Sequence, residues 1–92
     1  MVKVLIKSPC SASLIIQYGI KNWPIWEREP CNFSWIYREK EICYIIEGEA
    51  KIKTGDGESY LIKSGDLVEF PEGLSCEWQI IKSLKKHFRL GE

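Results

Sequence analysis

The sequence predicts a small all-β domain, and three features indicate it: a hydrophobic period of two, regularly spaced turns and many aromatic residues. Phe33, Trp35 and Tyr37 illustrate the period, because alternate side chains of a strand lie on one face. Turn-forming residues, among them Asp56-Gly57 and the proline of segment 71–73, separate the alternating stretches. Short strands divided by such turns are typical of a sandwich or a barrel.

The predicted elements are short strands that leave little room for a helix. Alternation and β-branched residues predict strands at residues 2–7, 25–28, 33–37, 41–47, 50–53, 59–63, 67–70, 76–82 and 87–90. Segment 13–18 fits either a strand or one helical turn, so the prediction is nine or ten strands. Gly48 is expected to break or bend the strong strand before it, and Asp56-Gly57 to close a hairpin.

The length and composition are those of one domain, which is expected to span residues 1–92. Apolar residues make up 45% of the chain and include four Trp, four Tyr and three Phe, enough to fill a small core. Thirteen basic residues balance thirteen acidic ones. This balance argues against nucleic acid as a partner, because phosphate binding needs uncompensated positive charge.

Hydropathy and cysteine spacing predict the compartment. No apolar stretch approaches the length of a membrane span or of a secretory signal core, so we expect a cytoplasmic protein without a membrane partner. The four cysteines, at positions 10, 31, 43 and 76, lack the C-x-x-C spacing of metal sites. In a reducing compartment they are expected to be free thiols.

Two segments have a spacing that strand periodicity does not explain. In the first, Glu41 follows Tyr37 by four residues and Gly48 follows Glu41 by seven; in the second, Pro71 follows Gly65 by six, and Gly73 and Cys76 come next. With segments 22–27, 33–35 and 86–88, these residues resemble the small single-domain cupins related to ureidoglycine aminohydrolase, over about residues 20 to 90. The resemblance implies a jelly-roll barrel of two antiparallel sheets, and a homodimer.

The resemblance also implies where a metal would bind. Cupin enzymes hold a metal with four side chains at the positions of Trp35, Tyr37, Glu41 and Cys76, and this chain matches only Glu41. First-row metals need several N, O or S donors that converge on one point. We therefore expect no metal site and no cofactor, although the sequence leaves a weakly bound divalent metal open.

Glu41 and Cys76 are the candidate catalytic residues. Glu41 is expected to face an aromatic barrel mouth, either as a general acid or base and ligand anchor or as a carboxylate held by a neighbouring side chain. Cys76 is either a nucleophile or soft ligand, or a thiol that fills space beside Trp78. Cys43 lies two residues after Glu41 on the same face; it either packs in the core or pairs with a facing thiol.

The predicted ligand-binding residues surround the barrel mouth: Trp35, Tyr37, Glu41, Cys43, Cys76 and Trp78. Their alternative role is to fill the core. Trp23 and Trp26 lie outside the two motifs and are expected to cover the barrel end or to build a dimer contact, and His87 is expected to be structural.

Three functions fit these residues. The favoured one is binding of a small organic molecule in the barrel mouth. The second is a hydrolase or isomerase that uses Glu41 with Cys76 or a weakly bound metal, and the third is a structural barrel with a filled interior.

Overall fold

Two long antiparallel strands, β4 (Glu41–Thr54) and β7 (Ser75–Leu90), run through the whole molecule. The computed structural model describes residues 3–91, in which five shorter strands accompany this pair: β1 (Leu5–Lys7), β2 (Ile25–Arg28), β3 (Asn32–Ile36), β5 (Ser59–Lys63) and β6 (Leu67–Phe70). A short helix α1 (Ala12–Gln17) and a 3-10 turn (Ile20–Asn22) connect β1 to β2. No helix in residues 3–91 is long and apolar enough to cross a membrane.

The strands form one hydrogen-bonded antiparallel sheet that folds back on itself. Its order is β1-β6-β4-β7-β2, while β5 adds to the second part of β4 and β3 to the first part of β7. The long strands therefore belong to two halves, β1-β6-β4-β7-β2 and β5-β4-β7-β3, which face each other across the core. This arrangement confirms the predicted all-β class and is consistent with a jelly-roll barrel.

Gly48 bends β4 and does not end it. The pairing of β4 with β7 shifts register around Glu47 and Glu49, as at a β-bulge. Gly48 has φ 97°, and a Cβ atom there would overlap the Ser83 carbonyl oxygen and lie 2.8 Å from the Leu84 Cα. Across this bend the positions of β4 that belong to the inner core change from odd to even numbers: Cys43 and Ile45 before it, Ala50 and Ile52 after it.

The structure differs from the predicted strands at segments 76–90 and 2–7, and it decides between the two alternatives left open for segment 13–18. Segments 76–82 and 87–90 form one strand, because the alternation continues through the lysines that separate them: Leu84 and Lys86 are buried like Ile80. Segment 13–18 is helical, and the Ser11 side chain caps the helix by accepting a hydrogen bond from the Leu14 amide. The first strand begins at Leu5, and the predicted Val2 start lies outside the described residues. The described chain thus has seven strands.

The core has two parts, one inside the barrel and one outside it. The inner cluster joins both halves of the sheet and includes Ile45, Ile62, Val68, Phe70 and Trp78. The outer cluster packs the connection between α1 and β2 against the opposite side of β4 and β6; it contains Ile20, Trp23, Ile42 and Leu67. The outer cluster covers one wall of the barrel. A cavity remains at the open end of the inner cluster.

Candidate ligand-binding site

A cavity of about 230 Å³ opens at the end of the barrel where β4 begins and β7 ends; we call it the mouth cavity. Inward-facing side chains of β2, β3, β4 and β7 line it: Trp26, Arg28, Phe33, Trp35, Tyr37, Glu41, Trp78, Lys86, Phe88 and Leu90. They share this face because the strand period of two places alternate residues on the inside. A wider depression of about 480 Å³ shares Trp35, Tyr37, Glu41 and Leu90 with the mouth cavity.

A buried ion pair forms the polar part of the mouth cavity. The Lys86 Nζ donates a hydrogen bond to the Glu41 Oε2 at 2.6 Å, and the two side chains are only 7% and 8% exposed. Lys86 lies in β7 between Ile45 of β4 and Trp26 of β2, so three strands set its position. Buried charges require such a partner, because each would otherwise lose its hydration without compensation.

Aromatic rings surround both cations of the mouth cavity. The Lys86 Nζ lies 4.9 Å from the ring centroids of both Trp26 and Trp78. The Arg28 guanidinium lies 4.5 Å from the Phe33 centroid and 5.9 Å from that of Trp26. These distances are within the range of cation–π attraction. Phe33 in turn stacks on Trp78, with 5.8 Å between centroids and 9° between planes.

Tyr37 and Trp35 form another side of the mouth cavity. Tyr37 is buried and stacks on Phe70 with 4.7 Å between centroids, and Trp35 meets Tyr37 edge-on at 6.4 Å. Burial raises the pKa of the Tyr37 phenol, and the Glu41 carboxylate raises it further, so the hydroxyl is protonated near neutral pH. Trp35 is 50% exposed, which leaves part of its ring free to contact a bound molecule.

The two thiols of the predicted site pack in the inner core. Burial raises the pKa of Cys43 to about 12 and that of Cys76 to about 11, while the hydrogen bond from Trp78 acts in the opposite direction at Cys76. Both are therefore thiols near neutral pH, whereas a nucleophilic cysteine needs a thiolate. All four cysteines are free.

The structure brings together four of the predicted ligand-binding residues at the mouth cavity: Trp35, Tyr37, Glu41 and Trp78. Cys43 and Cys76 belong to the core that supports them and do not line it. Trp26, which was expected to cover the barrel end or to build a dimer contact, lines the cavity together with Arg28, two positions further along β2. Trp23 lies in the outer cluster.

Lys86 is the buried charged residue of the mouth cavity that the sequence prediction missed. It stands within a basic run, which usually indicates a solvated surface. Its position contained a usable clue, because Lys86 alternates with the apolar Leu84 and Phe88 and therefore occupies an inward position. The adjacent His87 faces the other way, and its Nδ1 lies 2.9 Å from the Trp23 carbonyl oxygen, as expected for a structural histidine.

The side chains at the four metal-ligand positions do not fit a metal ion. Within residues 3–91, no three His, Cys, Asp or Glu side chains are close enough together to hold one. The matching carboxylate, Glu41, is already bound by an ammonium, and that charge would repel a cation beside it. Trp35 has no ligand atom suited to a divalent metal, and burial keeps Cys76 protonated.

Comparisons with known proteins agree with the architecture. Residues 17–88 match the family model of the EutQ-like cupin domain. A DUF861 family protein from Thermotoga maritima has 39% sequence identity and a TM-score of 0.89, with 98% of this chain and 99% of that one covered. A putative ethanolamine utilization protein Q from Salmonella typhimurium has 25% identity and a TM-score of 0.67, with 73% of this chain and 54% of that one covered.

The EutQ protein of Clostridium difficile gives a similar result, with 24% identity, a TM-score of 0.67 and coverage of 73% of this chain and 52% of that one. The chain therefore spans about half the length of these two proteins. No curated protein matches the chain. The cupin part of the predicted resemblance is confirmed, whereas its closer relation to ureidoglycine aminohydrolase stays a prediction.

Proposed function

The chain belongs to the EutQ-like cupin family, and on that premise we propose that it binds a small organic molecule in the mouth cavity. One observation carries the proposal: a buried carboxylate–ammonium pair, Glu41 and Lys86, lines a cavity whose other walls are mainly aromatic. Ligand sites typically combine apolar walls with a few polar groups that orient the ligand.

The cost of the ion pair supports a role beyond stability. Taking both charges out of water costs several kcal/mol per ion, and well-packed apolar residues often stabilise a fold as well or better. A barrel whose interior served only as a core would be stable with apolar side chains at positions 41 and 86. Two charges that line a cavity are better explained by a ligand that they contact.

The cavity volume supports a small ligand. Pockets for drug-sized molecules are roughly 300–1,000 Å³, and the mouth cavity is below that range at about 230 Å³. One ring with short substituents matches this volume, and the half-exposed ring of Trp35 offers a stacking surface for it.

A thermal-shift screen of small metabolites tests the proposal. A ligand at about 100 times its Kd should stabilise the protein by roughly 2.7 kcal/mol. Trp35→Ala should reduce this stabilisation, because Trp35 lines the cavity, whereas Leu61→Ala on the exposed face of β5 should not. If no compound in a broad library raises the melting temperature, or if both variants respond alike, binding in the mouth cavity is contradicted.

A second candidate function is a hydrolase or isomerase related to ureidoglycine aminohydrolase. The observation in its favour is that a proton acceptor and a donor, Glu41 and Lys86, are adjacent in the cavity. Glu41 is a stronger catalytic candidate than Cys76, whose raised pKa of about 11 disfavours the thiolate.

Turnover of a ligand found by the screen would test catalysis. Glu41→Gln should abolish turnover and Cys76→Ser should leave most of it, with the metal content of both proteins measured. Equal turnover in the wild-type protein and Glu41→Gln would exclude Glu41 as the acid or base.

A further inference from the structure

We infer that the ligand of the mouth cavity is an organic anion, a carboxylate attached to a small flat apolar body, which Lys86 and Arg28 bind without a metal. The inference rests on the proposed binding function and adds the chemical class of the ligand. Three observations support it: the occupied aromatic faces, the balance of charge in the cavity, and the position of the Lys86 ammonium against Glu41.

Three of the aromatic rings that line the cavity, Trp26, Phe33 and Trp78, already have cationic partners. A group of Trp and Phe rings commonly binds a cationic ligand, because the ring faces carry negative potential. Here the protein supplies the cations: Lys86 lies over Trp26 and Trp78, and Arg28 lies over Phe33 and Trp26. A cationic ligand would have to displace one of them, so the cavity does not select for positive charge.

The charges that line the cavity leave one positive charge without a carboxylate. Lys86 and Arg28 carry two positive charges and Glu41 carries one negative charge. No carboxylate in residues 3–91 lies within 4 Å of the Arg28 guanidinium. The planar guanidinium fork matches a carboxylate with two parallel hydrogen bonds, and its contact with the Phe33 ring keeps the fork at the cavity wall.

Lys86 has bonding capacity for the same anion. An ammonium has three N–H donors, and Glu41 accepts from one of them. Lys86 lines the mouth cavity although its side chain is 7% exposed, so the cavity is the direction from which a further acceptor can approach. A ligand ammonium would instead compete with Lys86 for Glu41, across a bond of 2.6 Å.

The cation that contacts Glu41 is the Lys86 ammonium, a fixed charge of the protein itself. A fixed ammonium attracts an anion electrostatically, as a metal would, but it offers no vacant coordination site. Anion binding by this chain should therefore be insensitive to chelators.

Isothermal titration with benzoate, benzamide and benzylamine tests the inference, because these compounds share one ring and differ in charge. In buffer with EDTA, benzoate should bind at least about ten-fold more tightly than benzamide, and benzylamine should bind most weakly. Added salt should weaken benzoate binding more than benzamide binding. Arg28→Gln and Lys86→Met should each weaken benzoate binding by at least about ten-fold, which removes most of its preference over benzamide.

Two further variants serve as controls. Lys82→Met removes a lysine of the same strand that is exposed and does not line the cavity, and it should leave benzoate binding unchanged. Arg28 is exposed, so Arg28→Gln keeps the core intact and decides the outcome if Lys86→Met does not fold. Lys86→Arg should retain the preference for benzoate, because it keeps the charge.

Each possible result has a distinct meaning. Equal affinity for benzoate and benzamide, or tighter binding of benzylamine, would overturn the anion inference and leave the proposed binding function standing. Loss of benzoate binding in EDTA would overturn metal-free recognition alone. If none of the three compounds binds, the anion inference fails for a one-ring ligand, and the metabolite screen then decides separately whether the cavity binds anything.

Discussion

The Glu41–Lys86 pair is the residue-scale feature whose removal should cost the fold most. Glu41→Gln leaves the Lys86 ammonium buried without a counter-charge, and such losses cost about 3–5 kcal/mol. We expect the free energy of unfolding, measured by urea denaturation, to fall by about 3 kcal/mol. The double variant Glu41→Gln/Lys86→Met should recover part of this loss, because it removes both charges.

An exposed ion pair of the same strands provides the matched control. Lys82 and Glu49 also join β7 to β4, at 3.7 Å, but their side chains are 73% and 28% exposed. Pairs in water contribute about 0–1 kcal/mol, so Glu49→Gln should change stability by less than about 1 kcal/mol. If Glu41→Gln and Glu49→Gln lower the free energy of unfolding equally, burial does not increase the contribution of the Glu41–Lys86 pair to stability.

The two buried thiols should make stability fall at alkaline pH. Their pKa values are raised, to about 12 for Cys43 and about 11 for Cys76, from an ordinary value of 9.0. A raised pKa means that the unfolded chain loses protons first, so the contribution is complete below about pH 9 and is lost as the pH rises through these values.

Urea denaturation across alkaline pH measures this loss. Cys43→Ala and Cys76→Ala should each flatten the decline, since each removes one titrating group, although cavity formation lowers stability at every pH. Cys31→Ala is the control, because it leaves both buried thiols in place. A decline of unchanged slope in all three variants would contradict the assignment to Cys43 and Cys76.

At the scale of single residues, motifs and alternation predicted four of the ten residues that line the mouth cavity. Glu41 followed from the motif spacing, and Trp35 and Tyr37 followed from alternation along one strand. Lys86 and Arg28 were not predicted, because most lysines and arginines are solvated. The pairing of β2 with the end of β7 brings them together, and Trp26 is sixty residues from its partner Lys86 in sequence.

The bend of β4 is the element-scale feature on which both halves of the sheet depend. Gly48→Ala combines a positive φ of 97° with overlap between the new Cβ and the backbone of β7. Gly57 has a similar φ of 90° but no atom within 4 Å of a Cβ, so Gly57→Ala costs backbone strain alone.

Comparing Gly48→Ala with Gly57→Ala separates the cost of backbone strain from the cost of steric overlap. We expect Gly57→Ala to cost about 1 kcal/mol of unfolding free energy and Gly48→Ala at least about 2 kcal/mol more, in urea denaturation. If the two variants lower the free energy of unfolding by the same amount, the close approach of β7 does not explain the glycine at position 48.

At the scale of elements, local pattern predicted short strands better than long ones. The strand Ile25–Arg28 has the predicted bounds, because turn residues stand on both sides of it. The sequence predicted two strands in place of β7, because Lys82, Lys85 and Lys86 suggest a break when only the local composition is considered. Pairing with β4 along its length supplies the stability that local propensity lacks there.

The whole molecule is held together by strands that belong to both halves of the sheet. The long strands β4 and β7 contribute to the half with β6 and to the half with β5, and the inner core contains side chains from both. Neither half can lose these strands without exposing the core of the other. The homodimer expected from the resemblance stays a prediction, which light scattering would test.

Shared strands should make the two halves unfold in one transition. Ile62 of β5 and Val68 of β6 are fully buried in different halves, so Ile62→Val and Val68→Ala each weaken one half directly. We expect either variant to lower the urea midpoint of both halves equally, as followed by NMR intensities of amides in β5 and β6. If a variant lowers the urea midpoint only for the amides of its own half, the two halves unfold independently. The bend at Gly48 would then separate two units that β4 and β7 couple only weakly.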